Sequence, residues 1–370
     1  MRATIAVIGG DGIGPEVTAE SVKVLEAVAE RYSHKFVWRT GMMGGHAIDR
    51  FGIPLPDDTS EIVASSEAVL FGAVGGPKWD DPEAPVRPED GILELRKRLG
   101  LFANLRPVTV YPELISCSPL RPHLLNGVDM IIVRELTGGL YFGKPKKRWA
   151  NSRGRKAVDT LSYSEREIER IIRVGFELAR SRRKRLHSID KRNVLETSRL
   201  WYEIACSVSA DYPDVELRHL LVDNAAMQLV RAPQEFDVVV AENMFGDILS
   251  DEAAVIGGSM GMLPSASLSS VPPSSGGRIR RRRSKPALYE PIHGTAPDIA
   301  GQGIANPIGS ILSSAMMLRW SFGLHMEADA IEAAVNSVLS DGYRTADIAQ
   351  ADASTCSTGQ MGDVIAGRVG

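Results

Sequence analysis

Short runs of apolar residues recur along the chain, and most of them are bounded by Gly, Asp or Asn. Because these runs are continuous and rich in Val, Ile or Leu, they are typical of strands that are buried on both faces of a sheet. The sequence predicts strands at Thr4–Ile8, Ala68–Ala73, Met130–Val133, Leu217–Val222 and Phe236–Ala241.

Longer segments repeat their apolar positions with the period of a helix. They predict helices over Glu16–Glu30, Ser164–Arg183, Pro307–Phe322 and Glu327–Leu339. Pro15 precedes the first of them, at a position where a helical turn tolerates proline. Strands that alternate with helices predict an α/β protein whose helices pack on a largely parallel sheet.

The size and composition of the chain favour a globular protein of two domains. Its 370 residues exceed what one hydrophobic core requires, and its 44% hydrophobic and 24% charged residues are average. The net charge of −3 gives no general attraction to nucleic acid, and no stretch approaches the ~20 apolar residues of a membrane span. We therefore expect neither nucleic acid nor a membrane as a partner.

The cysteines and the first residues indicate the compartment. Cys117, Cys206 and Cys356 form no CxxC pair and no zinc spacing. The chain starts directly with a predicted strand and lacks the features of a secretory signal. We expect reduced thiols in a cytoplasmic protein.

Two basic stretches interrupt the pattern. Residues 265–285 begin with Ser, Pro and Gly and end in a run of arginines, which predicts an exposed loop. Arg180–Arg185 closes a predicted helix, where positive charge suits a solvated last turn. The alternative is that Arg280–Arg283 bind nucleic acid, in which case the affinity will fall steeply as salt rises.

Three aspartates are candidates for a metal site. If Asn243–Asp251 opens a helix, Asp247 and Asp251 lie on one face, where their charges repel each other unless a cation binds between them. Asp223 follows a predicted strand. Oxygen ligands without His or Cys favour Mg²⁺ or Mn²⁺. The alternative is that these aspartates only cap helices or lie on the surface.

A second predicted helix, starting near Pro88, combines apolar and charged residues on one face. Glu89, Ile92, Leu93 and Arg96 follow the i, i+3, i+4, i+7 rule. Such a face could form a pocket wall, with Arg96 for a carboxylate and the two aliphatic residues for an apolar group. Alternatively, Arg96 extends to solvent from the edge of the core.

Other candidate groups stand at the ends of predicted strands. Arg106 and Arg134, together with Arg96, suit a dicarboxylic acid because a guanidinium binds a carboxylate through two parallel hydrogen bonds. Tyr141 could donate a proton, and Lys191 could act as a base. The alternatives are a packing tyrosine and a surface lysine.

Two loops are candidates for a nucleotide-binding site. The glycines of Gly9–Gly14 lack the GxGxxG spacing, and no acidic residue follows at the required distance, so we exclude a Rossmann fold. The segment Glu290–Gly301 offers Gly, Thr and backbone N–H groups for phosphates, and Asp298 for ribose hydroxyls. An acid there would repel a 2′-phosphate, which favours NAD over NADP. Read alone, this segment is more simply a structural loop.

Taken together, these segments resemble the β-decarboxylating dehydrogenases of the isocitrate/isopropylmalate family. The matching stretches follow one another in the family's order over nearly the whole chain: GDGIGPEV (10–17), GAVGGPKWD (72–80), LFANLRP (101–107), RELTGGLYFG (134–143), DKRNVL (190–195), ENMFGDILSD (242–251), MLPSASL (262–268) and EPIHGTAPDIAGQGIANP (290–307). The chain departs from the family at Gly9, where proline is usual, and in the longer, basic segment Ser269–Lys285.

The resemblance implies a two-domain α/β fold that is not Rossmann. It places residues 1–101 and 257–370 in a first domain with both termini and the cofactor site, and residues 102–256 in a second domain with the dimer interface. It further implies a homodimer whose active sites take residues from both subunits.

The resemblance also implies roles for individual residues. Arg96, Arg106 and Arg134 bind substrate carboxylates, Tyr141 protonates the enol carbon, and Lys191 of the partner takes the hydroxyl proton. Mg²⁺ or Mn²⁺ is held by Asp247 and Asp251 of one subunit with Asp223 of the other. Asp223 and Glu89 also border the substrate. NAD is bound by Glu290, His293, Gly294, Thr295, Ala296, Asp298 and Asn306.

Substrate choice depends on Ile92 and Leu93. Isocitrate dehydrogenases present polar groups at this helix, whereas these aliphatic residues would bury an isopropyl group, which stabilises binding by roughly 1.5–3 kcal/mol. A carboxylate placed there would lose a polar partner. We therefore expect oxidative decarboxylation of 3-isopropylmalate, a step of leucine biosynthesis, with a sister activity on isocitrate, homoisocitrate, malate or tartrate as the alternative.

Overall fold

A computed structural model describes residues 1–81, 83–271, 285–350 and 353–370. The exposed loop predicted for residues 265–285 is wrong at its start, because Pro264–Leu268 is a buried strand. The arginine run 278–283, for which nucleic-acid binding is the alternative, lies outside the described residues. The strands are β1 Arg2–Gly10, β2 Lys35–Thr40, β3 Ala68–Ala73, β4 Ala103–Thr109, β5 Asp129–Glu135, β6 Lys147–Asn151, β7 Gly154–Val158, β8 Arg185–Asp190, β9 Glu216–Leu221, β10 Val238–Ala241, β11 Pro264–Leu268 and β12 Ala287–Pro291.

The helices include all four that periodicity predicts. They are α1 Gly14–Arg31, α2 Gly45–Phe51, α3 Asp57–Ala64, α4 Pro88–Leu99, α5 Pro122–Leu125, α6 Glu165–Arg180, α7 Glu196–Ser209, α8 Val222–Arg231, α9 Asn243–Ile256, α10 Ile308–Met317, α11 His325–Ser340 and α12 Thr358–Val369. The predicted helix over Pro307–Phe322 is α10 followed by a π-helical turn, Leu318–Phe322.

Ten strands form one mixed sheet in the order β2-β1-β3-β12-β11-β4-β5-β10-β8-β9. The pairs toward both edges are parallel, as alternating strands and helices predict, whereas β12–β11, β11–β4 and β4–β5 are antiparallel. The mixed order excludes the Rossmann arrangement and confirms an α/β fold.

The sheet has two contiguous halves. Strands β1, β2, β3, β11 and β12 lie in residues 1–101 and 257–370, and β4, β5, β8, β9 and β10 lie in residues 102–256. The halves meet where β11 pairs with β4, with Ala266 opposite Leu105. The division into two domains stays a prediction. The junction between β11 and β4 coincides with the boundary that this prediction requires.

The hydrophobic core lies between the sheet and the helices that pack on it. Leu70 of β3, Ile132 of β5 and Val240 of β10 are fully buried in one large hydrophobic cluster. Strands β6 and β7 form a separate antiparallel hairpin with exposed side chains. None of the helices in the described part of the chain is long and apolar enough to cross a membrane, and the three cysteines are free thiols.

The prediction that Arg180–Arg185 is a solvated helical end is wrong in one respect. Helix α6 ends at Arg180, and Arg185 already begins β8. Arg182 donates from Nε to Oδ1 of Asp237 across 2.9 Å. Because Asp237 is buried, its carboxylate needs a paired cation, so Arg182 is held against the protein instead of extending into solvent.

Candidate active site

Helix α9 places two carboxylates beside the buried arginines of the neighbouring strands. The segment from Asn243 to Asp251 does open this helix, as predicted, and the side chain of Glu242 caps it by accepting from the N–H groups of Met244 and Phe245. Asp247 and Asp251, four residues apart, therefore share one helical face.

Arg134 and Tyr141 both contact Asp247. Arg134, at the end of β5, donates from Nη1 to Oδ1 of Asp247. The hydroxyl of Tyr141 donates to Oδ2 of the same carboxylate across 3.0 Å. The guanidinium lies 5.7 Å from the centre of the Tyr141 ring. Strand β5 and the turn after it thus bring a cation and a phenol to one carboxylate.

Arg106, on β4, reaches the same helix. Its Nη1 donates to Oδ1 of Asp251 across 3.1 Å and to the hydroxyl of Ser250 across 2.6 Å. Its Nε donates to Oδ1 of Asn104 across 2.8 Å, so the guanidinium is held from two sides. Arg106 is only 8% exposed.

The electrostatics of this group follow from burial. Burial, reinforced by the nearby charge of Arg106, lowers the pKa of Arg134 to about 10. Burial, followed by the charge of Asp247, raises the pKa of Tyr141, so the phenol keeps its proton at neutral pH. Burial also raises the pKa of Asp251, although Arg106 opposes this shift.

Arg96 connects helix α4, whose mixed face is the proposed pocket wall, with the predicted cofactor segment. As predicted, α4 is a helix, and Arg96 lies on it, half-buried. Its Nη2 donates to Oε1 of Glu290, at the end of β12, across 2.7 Å. The structure therefore pairs a candidate substrate arginine with a candidate cofactor carboxylate.

The aliphatic residues of α4 have different surroundings. Ile92 is 6% exposed and packs in a hydrophobic cluster with Met43 and Leu55. Leu93 is half-buried and lines a surface cavity of about 420 Å³ with Phe142, which follows Tyr141 in the chain. Glu89 opens the same helix and faces Gly75, where an added Cβ would lie 2.9 Å from Oε1.

Lys191 and Asp223 form a separate pair. Lys191 follows β8, Asp223 stands in the first turn of α8, and Nζ lies 2.9 Å from Oδ1. This lysine holds the pKa of Asp223 below its ordinary value. No hydrogen bond or ion pair between described residues joins this pair to Asp247 or Asp251.

Among the described residues, no group of three or more His, Cys, Asp or Glu side chains is arranged to hold a metal ion. Asp247 and Asp251 nevertheless fit Mg²⁺ or Mn²⁺ chemically, because both present oxygen donors from one helical face.

The predicted cofactor segment follows β12 as an irregular loop against the N-terminal glycines. The backbone N–H of Ile13 donates to the carbonyl of Thr295 across 2.9 Å. An added Cβ at Gly12 would lie 2.1 Å from that carbonyl oxygen, so glycine is required for the approach. The segment is thus packed against the loop that opens α1.

The loop has groups available for a nucleotide. His293 keeps a buried Nε2 without a hydrogen-bond partner, and burial lowers the pKa of its imidazole. Gly294 has open space where a Cβ would stand, and Asp298 is exposed. Asn306 is buried, and its Nδ2 donates to Asp347 across 3.0 Å. A buried imidazole nitrogen without a partner, beside open space, fits a bound NAD.

Two partners of Arg106 were missed from the sequence. Asn104 and Ser250 both bind Arg106. Asn104 stands two positions before Arg106 on β4, and alternate residues of a strand point to the same side, so this spacing was the available signal. Ser250 directly precedes Asp251, but a serine inside a helix carries no comparable signal.

Comparison with known proteins gives one family. The family described as isocitrate/isopropylmalate dehydrogenase matches residues 4–365. The chain is similar to the 3-isopropylmalate dehydrogenase of Geobacillus kaustophilus strain HTA426, with 57% identity over 96% of this chain and 93% of that protein. It is 55% identical to the 3-isopropylmalate dehydrogenase of Dehalococcoides mccartyi strain ATCC BAA-2266 / KCTC 15142 / 195, over 100% of both chains.

Solved structures give the same result. The crystal structure of an isocitrate dehydrogenase from Methylococcus capsulatus superposes with a TM-score of 0.84 at 35% identity, over 99% of both chains. A β-decarboxylating dehydrogenase from Thermococcus kodakarensis has a TM-score of 0.76 at 35% identity, over 99% of this chain and 96% of that one.

Proposed function

The chain belongs to the isocitrate/isopropylmalate dehydrogenase family, and on this basis we propose that it oxidises 3-isopropylmalate with NAD and releases CO₂, in leucine biosynthesis. The observation that carries the proposal is the convergence of Arg106, Arg134 and Tyr141 on Asp247 and Asp251. These groups suit a dicarboxylic acid bound beside a divalent cation. Relatives of similar length whose names state this activity support the choice of substrate.

Substrate binding is assigned to the arginines and to one face of α4. Arg96, Arg106 and Arg134 bind the two carboxylates, and Asp223 and Glu89 border the hydroxy acid. Ile92 and Leu93 bury the isopropyl group. The arginines are at present paired with Glu290, Asp251 and Asp247, respectively, so substrate binding exchanges these internal ion pairs for pairs with the ligand.

The proposal includes a homodimer with shared sites. Helices α8 and α9 pack against each other and expose four large apolar side chains: Met227, Val230, Ile248 and Val255. Exposed apolar groups of this size are typical of a subunit interface. A second copy placed there supplies its Asp223 and Lys191 to the Asp247 and Asp251 of the first, which completes the set of three carboxylates.

The reaction uses two proton-transfer groups. Lys191 of the partner subunit accepts the proton of the C2 hydroxyl, directly or through one water. NAD held by the segment around His293 would supply the hydride acceptor for C2. A divalent cation held by Asp247, Asp251 and Asp223 of the partner subunit would polarise the ketone oxygen, so that the β-carboxyl group could leave as CO₂. Tyr141 then donates its proton to the enol carbon, and its raised pKa keeps that proton available at neutral pH.

The cofactor is assigned to the segment after β12. Glu290, which pairs with Arg96 before the substrate binds, is assigned to the nicotinamide end of the cofactor. His293, Gly294, Thr295, Ala296 and Asn306 line the nucleotide, and Asp298 accepts from the ribose hydroxyls. We further propose the two domains at 1–101 with 257–370 and at 102–256, and a cytoplasmic location.

The test is NADH formation by the purified protein with 3-isopropylmalate, NAD and Mn²⁺. Isocitrate, malate and tartrate serve as parallel substrates, and each reaction is repeated with a chelator. Chelator-sensitive turnover that is fastest with 3-isopropylmalate supports the proposal. Faster turnover of another substrate would overturn the substrate assignment, and inactivity of the folded protein on all of them would overturn the reaction.

The role of α4 can be tested separately. Leu93→Ser should lower kcat/KM for 3-isopropylmalate by about tenfold or more, because the isopropyl group loses apolar contact, with little change for malate. Ile53→Ser is the control, since Ile53 is an aliphatic residue whose surface is 44% exposed to solvent. Equal losses on both substrates would show that Leu93 does not contact the isopropyl group.

A further inference from the structure

Asn243, the first residue of α9, is buried at the centre of the candidate active site without being one of its proposed reacting groups. Its side-chain Oδ1 accepts from Nε of Arg134 across 3.0 Å. Its Nδ2 donates to the carbonyl of Gly138 across 3.1 Å. One amide therefore contacts both the guanidinium and the segment that leads to Tyr141.

The Gly138 carbonyl lies at the start of the turn that carries the phenol. Gly139–Tyr141 is a short 3₁₀ turn, and Gly139 has a φ of +76°, a value that favours glycine. The N–H of Gly138 donates to Glu135, and that of Gly139 to the carbonyl of Ser162. The turn is held at each of these points, so the position of its carbonyl helps to set the position of the Tyr141 hydroxyl.

The amide itself has little freedom to move. The backbone N–H of Asn243 donates to the hydroxyl of Tyr163 across 2.9 Å. An added Cβ at Gly246, one turn along α9, would lie 2.9 Å from the Cβ of Arg134, so helix and strand are already in close contact. Arg134 cannot follow a displaced amide without disturbing this packing.

We infer that Asn243 is a positioning residue that aligns Arg134 with the substrate carboxylate and Tyr141 with the enol carbon through the two ends of one amide. The inference rests on the proposed function, because it assumes those roles for Arg134 and Tyr141. A carboxamide supplies an acceptor at one end and a donor at the other, as these two contacts require. Aspartate keeps the acceptor but, when ionised, loses the donor.

The test compares two variants. Asn243→Ala removes both bonds, so kcat should fall about 10- to 100-fold and the KM for 3-isopropylmalate should rise, with the KM for NAD unchanged. Asn243→Asp keeps the bond to Arg134, so its KM for 3-isopropylmalate should stay near that of the wild type while kcat falls. Asn126→Ala, at an exposed position, is the control.

A double-mutant cycle separates positioning from general destabilisation. If Asn243 acts on protonation through Tyr141, Asn243→Asp combined with Tyr141→Phe should lose little more kcat than Tyr141→Phe alone. Losses that multiply, or an Asn243→Asp variant with wild-type kcat, would overturn the inference while the proposed function stands. An inactive wild-type protein would overturn both. Because Asn243→Asp is nearly isosteric, it serves if Asn243→Ala does not fold.

Discussion

The hydroxyl of Tyr141 donates to Oδ2 of Asp247 across 3.0 Å, so the proposed proton donor and a proposed metal ligand are in direct contact within one chain. The negative charge of Asp247 adds to burial in keeping the phenol protonated. Tyr141 and Asp247 come from different elements, the turn after β5 and helix α9. The contact therefore links the proposed proton donor to the proposed metal site.

Tyr141→Phe removes the proposed proton donor together with its hydrogen bond to Asp247. We expect kcat with 3-isopropylmalate to fall by about 100-fold or more, the usual contribution of a positioned general acid, and KM to change little. Steady-state kinetics with saturating Mn²⁺ measure both constants. Tyr343→Phe, on the exposed Tyr343, should keep wild-type kcat. A Tyr141→Phe variant with more than a third of wild-type kcat would remove Tyr141 from the mechanism.

As the pH is lowered, metal binding should begin to weaken at a higher pH than it would if the ligand aspartates had their ordinary pKa. Burial raises the pKa of Asp251, and only the ionised carboxylate binds a cation, so protons compete with the metal as the pH falls through this raised pKa. The concentration of Mn²⁺ that gives half-maximal activity should rise roughly tenfold for each further pH unit. Activity titrations with Mn²⁺ between pH 8 and pH 5 measure it.

The matching variant is Asp251→Asn, which should need at least about tenfold more Mn²⁺ at every pH and lose part of the pH dependence. Asp329→Asn is the control, because Asp329 pairs with Arg319 on the surface. If Asp251→Asn responds to Mn²⁺ like the wild type, Asp251 is not a metal ligand.

Shared sites predict complementation between two inactive variants. Lys191→Ala and Asp247→Asn should each be inactive as homodimers. A mixed dimer has one site with both wild-type residues, contributed by different chains, and one site with both substitutions. After unfolding and refolding of an equal mixture, random pairing should restore about a quarter of wild-type activity. No recovery in a mixture that forms dimers would place Lys191 and Asp247 in the site of the same chain.

His187, on β8, should make stability depend on pH. Burial, followed by the charges of Arg218 and Arg185, lowers the pKa of this imidazole to about 4, from about 6.5 in an unfolded chain. The unfolded chain therefore binds the extra proton first, and the folded state loses up to about 3 kcal/mol as the pH falls from about 6.5 to about 4. Denaturant unfolding at fixed protein concentration measures this loss.

His187→Phe should remove this part of the pH dependence, since the ring stays beside Phe236 but carries no ionisable group. His123→Phe is the control, because His123 is exposed. Parallel pH profiles for His187→Phe and the wild type would mean that another group causes the loss of stability in acid.

The local elements were predictable because their signals lie within a few residues. Strand β3 occupies Ala68–Ala73, as its buried apolar run predicts, and α4 has the predicted mixed face. The edge strand β2 and the short strand β11 were not predicted. In the sequence, Pro264–Leu268 resembles a polar loop because it contains two serines. In the fold it is strand β11, and both serines are buried against Asn104, a contact that no local pattern reveals.

Most residues of the candidate site could be proposed from the sequence, but the contacts between them could not. Side chains at strand and helix ends indicated Arg134, Asp247 and Lys191 as functional groups. That Arg96 would pair with Glu290, 194 residues later, follows only from the meeting of α4 and β12 in the fold. The three antiparallel pairs at the centre of the sheet likewise depend on long-range order that periodicity does not contain.

The pairing of β11 with β4 makes the two halves of the sheet one thermodynamic unit. If one half unfolded alone, the strand at the junction of the other half would lose its hydrogen-bond partners. These unpaired backbone groups would lie along Ala103–Leu105 of β4 or along Ala266–Leu268 of β11. Partial melting is therefore penalised from both sides, and heat should disassemble the subunit in a single cooperative transition. The amide protons at this junction should be among the slowest in the protein to exchange with deuterium.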